Sequence, residues 1–573
     1  MDKYFSYIKK HPHCFYLAPL FMVLEAAGEF ILPFLSARMI DEGAANRNLP
    51  LILKMGGLMG VLALCMLIFG VAGAFFAIRG SVYLAHHLRE ETFKRIQRFS
   101  FENIDSFSPG ALITRCTGDV TQIQSFLQML LRGFFRSPVM IIGAIFMSFS
   151  LSKDLALLLC IAVAFLGCAI ALLIRFSSPR YLAMQRSIDG MNNYLEETVG
   201  GIKVVKGFVR EEYEEGRFGA VNENLRKRST RALSLTASMM PLSALVIHLT
   251  TVLVVWAAGK KIMVGSMQVG VLTAFLTYLT QTLTALNFLA NIFLQGTRAA
   301  ASHRRLSEIF EADINLTDEN ARERDHQLQS GRVRFEHVTF SYGPHLRPAV
   351  EDVSFSIESG EFVGIVGSTG SGKSTMLSLL PRLRDPQEGA VFVDGVNVKD
   401  LSLKELRKGV GVVLQNNTLF TGSVAENLRW GKADATQEEM EAALRLSCAW
   451  DFVSALPLGL SSPLEQEGAN LSGGQRQRLC IAKALLGKPN ILLLDDSTSA
   501  VDMATDAAIR RGLRSELPGM TKLVVAQRIH SVQEADKIIV MQGGRIEAIG
   551  RHEELLRVSQ TYRELYESQR KEA

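Results

Sequence analysis

The 573 residues carry little net charge: 62 Lys and Arg stand against 57 Asp and Glu, a formal +5. A balance this close to neutral argues against a nucleic-acid partner. Cysteine is sparse. Cys14, Cys65, Cys116, Cys160, Cys168, Cys448 and Cys480 are scattered, with no C-x-x-C spacing. That excludes a disulfide framework and a paired-cysteine metal site, and leaves packing residues in a reducing compartment. No secretory leader is expected either. Lys3, Lys9 and Lys10 precede the first apolar stretch, but no small-residue cleavage site follows. Residues 55–78 and 155–174 lack any charge and any polar face, which excludes ordinary core helices of a soluble protein.

What is present divides the chain in two. The mean hydropathy of +0.16 beside 21% charged residues implies an apolar part and a charged part. Six apolar segments, at residues 15–36, 55–78, 133–152, 155–174, 232–259 and 269–296, each approach the roughly 20 residues that a helix needs to cross hydrocarbon. The joins after segments two and four are long and rich in Arg and Lys, which places them and both termini in the cytoplasm. They lack Pro/Gly punctuation except near Pro109-Gly110 and Gly200-Gly201. Each flank is helix-compatible for about 25 residues, or about 37 Å, so the membrane helices are expected to continue into the cytoplasm and turn there.

Two polar features lie within the apolar part. Glu25 and Glu29 share one helix face, as a lure for a cationic substrate or as pairing within the bundle. Thr273, Thr277, Thr280, Thr284, Asn287, Asn291 and Gln295 form a stripe along segment six, within about 40° of one line at about 100° per residue. A substrate path is the favoured reading and interhelical hydrogen bonding the other. His248 reads as a histidine satisfied inside the bundle.

From Glu311 to Gly331 the sequence turns polar, and beyond it short β-branched runs alternate with helical stretches. The expected domains are residues 1–311, a linker at 312–331, and residues 332–573. Gly367, Ser368, Thr369, Gly370, Ser371, Gly372, Lys373, Ser374 and Thr375 fit G-x-x-x-x-G-K-[ST], after an apolar strand and before a helix read from Met376. Such a loop turns backbone N–H groups toward phosphates, with Lys373 on the β- and γ-phosphates and Ser374 on Mg²⁺. Leu471-Ser472-Gly473-Gly474-Gln475 follows, and then an apolar run ends in Asp495-Asp496.

In this order the motifs resemble those of the ABC ATPases. With six membrane segments ahead, essentially the whole chain resembles a half-transporter of the ABC exporter fold. The resemblance implies a multidomain protein: an all-α six-helix transmembrane domain followed by an α/β P-loop ATPase domain, multi-pass in the cell (inner) membrane. It implies ATP and Mg²⁺ as cofactors. Tyr342 matches the aromatic that stacks on adenine, Gln415 the glutamine near Mg²⁺, and Asp495 the Mg²⁺-orienting aspartate. Leu471 through Gln475 match the signature that acts on a partner's ATP. Ser499 through Asp502 match the loop that communicates across a head-to-tail dimer. The bends near Pro109 and Gly200 match coupling helices.

Two absences stand out against that pattern. The family's general base is usually Glu, and here it is Asp496. The switch histidine is replaced by Gln527. The shorter carboxylate falls about an ångström short of the water, where base catalysis is worth about 10²–10⁴-fold. Glutamine carries no positive charge. Together the two changes resemble the weak half of a heterodimeric exporter of a small or lipophilic solute, whose other chain keeps Glu and His. A homodimeric lipid or drug flippase, an exporter-fold importer and an ATP-gated regulatory subunit are the alternatives.

Overall fold

The computed structural model describes residues 7–318, 321–343, 345–415, 418–497 and 501–572. The chain separates into two compact units. One joins Met1–Gln97 to Phe107–Ala312, and the other joins Arg98–Ser106 to Asp313–Ala573. The turn between the second and third long apolar helices, read from the sequence as part of the membrane domain, therefore groups with the second unit. Its ties explain this: Asn103 Nδ2 donates to Asp313 O at 2.8 Å, and Asn315 Nδ2 to Glu102 Oε2 at 3.3 Å.

The first unit is helical. Among the described residues six helices are long and apolar enough to cross a membrane, at Pro12–Ala44, Leu49–Gln97, Pro109–Leu151, Lys153–Gly200, Glu211–Met263 and Val269–Glu311. Leu49–Gln97 has 49 residues, about 73 Å at 1.5 Å per residue, more than twice a hydrocarbon core of about 30 Å. The expected extensions beyond the apolar segments are thus present. Leu58, Val61, Leu64, Leu67, Ile68 and Val71 on this helix are at least half exposed, as suits a lipid-facing surface.

Charged residues tie the extensions together. Arg115 is buried, bonds Glu308 at 2.6 Å and lies 4.6 Å over the Phe107 ring. Arg305 pairs with buried Asp119, its Nε donating at 2.9 Å. The second turn forms a short helix, Ile202–Gly207, after Gly200 ends the preceding one. His248 is exposed on the helix Glu211–Met263, which corrects its reading as a histidine satisfied inside the bundle: its side chain lies on the open side of that helix and not in the packed side that holds Val246 and Val254.

The second unit is α/β. A six-stranded sheet runs in the order Arg545–Gly550, Lys537–Gln542, Phe362–Gly367, Thr521–Val525, Ile491–Asp495, Val410–Val413. All pairs are parallel except the first. Parallel strands are buried on both faces, and the residues of Ile491–Asp495 and Thr521–Val525 are buried throughout. The register sets Val525 beside both Ile365 and Asp495, so two strands end level and the P-loop strand runs two residues further, to Gly367. An antiparallel sheet, ordered Val350–Ile357, Val333–Phe340, Glu388–Val393, Val396–Asn397, delivers Tyr342 two residues beyond its second strand. All seven cysteines are free.

Candidate functional site

The carboxyl ends of parallel strands are where α/β sheets bind ligands. Here the P-loop leaves Phe362–Gly367, Asp495 and Asp496 end or follow the Ile491–Asp495 strand, and Gln527 follows Thr521–Val525. The loop needs its glycines. Gly372 has φ +97, and a Cβ there would lie 2.2 Å from Ala349 O. A Cβ on Gly367 would lie 2.2 Å from Met541 O. The following helix begins at Lys373, three residues before the Met376 start expected from apolar pattern alone. Hydrophobic patterning had missed a polar first turn.

Lys373 Nζ donates to Gly367 O at 2.9 Å and Ser368 O at 2.8 Å, and burial lowers its pKa. Ser374 Oγ donates to Asp495 Oδ1 at 2.9 Å. Burial raises the Asp495 pKa, while the Ser374 bond and the Lys373 charge oppose that rise. A hydroxyl and a carboxylate within hydrogen-bond reach, beside a phosphate-type loop, are hard oxygen donors of the kind that Mg²⁺ takes alongside phosphate oxygens. These residues fit the ion. Gln415 lies two residues beyond the adjoining Val410–Val413 strand and is exposed. Thr369 and Ser368 are exposed on the loop and Ser371 is buried beneath it.

The two unusual residues meet. Gln527 Nε2 donates to Asp496 Oδ2 at 2.7 Å. Asp496 is buried and sits at φ +48, a left-handed conformation that Asp tolerates better than most side chains. Sequence reasoning missed a third residue. Gln569 Nε2 donates to Gln527 O at 2.7 Å, and its Oε1 accepts from Ile529 N at 2.8 Å. One amide from the last helix, Gln560–Glu572, thus clasps the backbone on both sides of Arg528. No motif marks it; only the three-dimensional fold brings it there.

Leu471 is buried, and Ser472 caps the helix Gly473–Leu486. Ser472 Oγ accepts from Gln475 N at 3.3 Å, while Gln475 Oε1 accepts from Ser472 N at 2.9 Å. Gly473 and Gly474 form that helix's first turn. Asp502 caps Met503–Glu516, accepting from Thr505 N at 2.9 Å, and that bond holds its carboxyl pKa low. Ser499 lies outside the described residues.

In the membrane unit Glu25 and Glu29 both reach Arg136, Glu25 at 3.6 Å and Glu29 in a direct hydrogen bond. The pairing considered for them is realised, and the group still lines open space. Glu29, Arg136, Thr277, Thr280, Gln281 and Thr284 line a cavity of about 590 Å³. Glu25, Arg132 and Arg136 line a second, of about 450 Å³, and Phe288 borders both. The polar stripe divides. Thr277, Thr280 and Thr284 face the cavity, whereas Asn287 Oδ1 accepts from Ser243 Oγ at 2.9 Å and stitches two helices together.

Comparisons with known proteins match both units. The family description "ABC transporter transmembrane region" fits residues 15–286, and "ABC transporter" fits residues 350–499. The uncharacterized ABC transporter ATP-binding protein YfiB of Bacillus subtilis is 35% identical over 569 residues, covering 99% of this chain and 98% of that one. An uncharacterized ABC transporter ATP-binding protein of Mycobacterium tuberculosis is 35% identical over 554 residues, covering 96% and 95%. Among solved structures, a bacterial Atm1-family ABC exporter with ATP bound superposes with a TM-score of 0.83 at 25% identity, covering 96% of this chain and 98% of that one. With a six-helix membrane unit and a P-loop ATPase unit in one polypeptide, the chain belongs to the ABC transporters, as an exporter-type half-transporter.

Proposed function

We propose that this chain is one subunit of a heterodimeric ATP-driven exporter of a small molecule or a drug-like, lipophilic solute, with a weak ATPase site of its own. The observation that carries the reading is the bond between Gln527 and Asp496. A general base must present a free carboxylate oxygen to water within about 3 Å. Here the carboxylate is one methylene shorter than Glu, and a neutral amide occupies one of its two oxygens. The residues for binding, by contrast, keep the chemistry that ATP needs: Tyr342 for adenine, Gly367 through Thr375 for phosphates, and Ser374, Gln415 and Asp495 for Mg²⁺. Bound there, Mg²⁺ would offset phosphate charge. The site therefore holds ATP and turns it over slowly. The partner's ATP is completed by Leu471 through Gln475 and Asp502 of this chain.

The tip of the second cytoplasmic turn supports a partner chain. Phe208 and Val209 are 76% and 81% exposed there, and Val204 is 61% exposed. An apolar tip at the water-facing end of a membrane bundle needs a cover, and the partner's ATPase unit supplies it. The partner keeps Glu and His at the two altered positions. Both termini and the ATPase unit are cytoplasmic, in the cell (inner) membrane. Solute moves along the cavity of Glu29, Thr280 and Thr284. Arg136 offsets its carboxylates, so a solute of low net charge suits it better than a strong cation.

The test is site-resolved. The complex is purified through a tag on this chain, turned over with radiolabelled 8-azido-ATP, and photolysed. Retained nucleotide on this chain, with fast loss from a second, different chain, supports the reading. Equal release from two identical chains refutes it.

A further inference from the structure

Tyr342, the adenine platform of the reading above, does not stand alone. Its hydroxyl is 2.9 Å from Thr375 Oγ1, next to the Mg²⁺-ligating Ser374, so one end of the ring is tied to the P-loop helix. The Phe340 ring meets it edge-on at 5.2 Å. The Arg384 guanidinium lies over the ring, 4.8 Å from its centroid, although the tyrosine remains 53% exposed. Arg384 itself is only 14% exposed. Its other partner is the carboxylate of Asp105, in the turn Phe101–Ser106. That turn joins the second and third membrane-spanning helices, and through Asn103 and Glu102 it also grips residues 313 and 315.

We propose that Asp105, Arg384 and Tyr342 form a positioning relay, in which the turn between two membrane helices sets how firmly this chain's ATPase unit holds the adenine of ATP. This rests on the reading of Tyr342 as the adenine platform. The physical chain has three links. A guanidinium over one face of a ring fixes the ring's angle through attraction to its quadrupole, an effect that strengthens as the cation is desolvated. A planar guanidinium keeps one orientation only while its N–H groups are directed, and Asp105 directs them. A base stacking on Tyr342 then meets a ring already in place, so less freedom is lost on binding.

The relay runs both ways. If displacement of the turn weakens adenine binding, adenine binding must resist that displacement by the same factor. The contact involves base and not phosphate, so it acts on ATP while sparing a bare triphosphate. Arg384 and Asp105 are positioning residues, since neither needs to touch nucleotide.

The experiment uses the purified full transporter complex in lipid nanodiscs. Radiolabelled 8-azido-ATP photo-crosslinked to this chain is competed by ATP or by inorganic tripolyphosphate. Arg384→Leu is expected to weaken competition by ATP about three- to tenfold, with tripolyphosphate unchanged. Asp105→Asn should shift ATP in the same direction by a smaller factor. Arg384→Lys, which keeps the cation over the ring, should recover part of the loss. Asp105→Asn added to Arg384→Leu should do nothing further, because the relay passes through Arg384. Tyr342→Ala separates the two ideas. If it weakens ATP selectively while both relay variants bind normally, the platform stands and the relay is overturned. If Tyr342→Ala has no effect, the platform reading falls and the relay with it. A loss shared equally by tripolyphosphate, or an Asp105→Asn effect that persists without Arg384, also overturns it.

Discussion

Replacing Asp496 by Ala separates a weak ATPase site from a competent one. The structural cost is modest. Alanine at φ +48 incurs about 1–2 kcal/mol of backbone strain. The bond from Gln527 Nε2 contributes about another 1 kcal/mol. The loss is local, and the buried strands on either side keep their register. The chemical cost depends on which architecture holds. In a transporter with two equivalent sites, Asp496 serves as base in both, and its removal should slow hydrolysis about 10²–10⁴-fold. In the heterodimer the fast site uses the partner's base, and this chain contributes Ser472 and Gly474 to it. Steady-state ATPase of the nanodisc complex should then fall less than about twofold, with nucleotide binding intact. Gly474→Asp is the counterpart. It sets a carboxylate against the partner's γ-phosphate and should abolish about 99% of turnover. Ser472→Ala is a poorer probe, because it also removes a helix cap worth about 1 kcal/mol. If Asp496→Ala and Gly474→Asp prove equally damaging, the asymmetric reading is wrong.

Thr280→Leu with Thr284→Leu should change solute stimulation of the ATPase while sparing its basal rate, whereas Asn287→Leu should lower the detergent melting temperature by breaking the bond to Ser243; a collapse of assembly in the double threonine variant would refute the path. Cysteine at Lys206 should label only from the cytoplasmic side and cysteine at Met263 only from outside; the opposite pattern overturns the topology. Lys522 is buried, with Nζ donating to Leu517 O at 2.6 Å, and desolvation lowers its pKa to about 8. Between about pH 8 and 10.5 the unfolded chain holds the proton and the folded one does not, so stability rises with pH across that window, by at most about 3 kcal/mol. Lys522→Met should accordingly melt higher than the parent at pH 7 and lose that advantage by about pH 10.5; a gap that does not change with pH refutes the assignment.

The sequence was most legible where local chemistry and fold demand the same residue. Gly367 and Gly372 are fixed by the carbonyls of Met541 and Ala349, each 2.2 Å from an added Cβ, so the motif and its geometry are one fact. The membrane helices announce themselves because nothing but apolar residues satisfies hydrocarbon on all sides. Less legible was anything made between segments. Glu25 and Glu29 gave a helix face but not the arginine facing it, which lies more than a hundred positions on. The stripe from Thr273 to Gln295 has one periodicity and two surroundings, open space at Thr280 and a hydrogen bond at Asn287, because what faces each residue is decided by other helices. The turn at residues 98–106 sits within the membrane domain by order along the chain and within the ATPase unit by its hydrogen bonds. His248 shows the converse, since an isolated polar residue on an apolar helix carries no record of which side is covered.

The clasp made by Gln569 ties the loop that carries Gln527 to the helix Gln560–Glu572. Its single amide holds two successive stretches of backbone in the loop that carries Gln527. A deletion or fusion that removes or displaces Gln569 thus perturbs the loop that carries Gln527 from some forty positions away. Nucleotide retention at this chain's own P-loop would report a loosened loop in such a protein, and the same amide offers a handle on the Gln527 loop without altering a residue of the phosphate cradle.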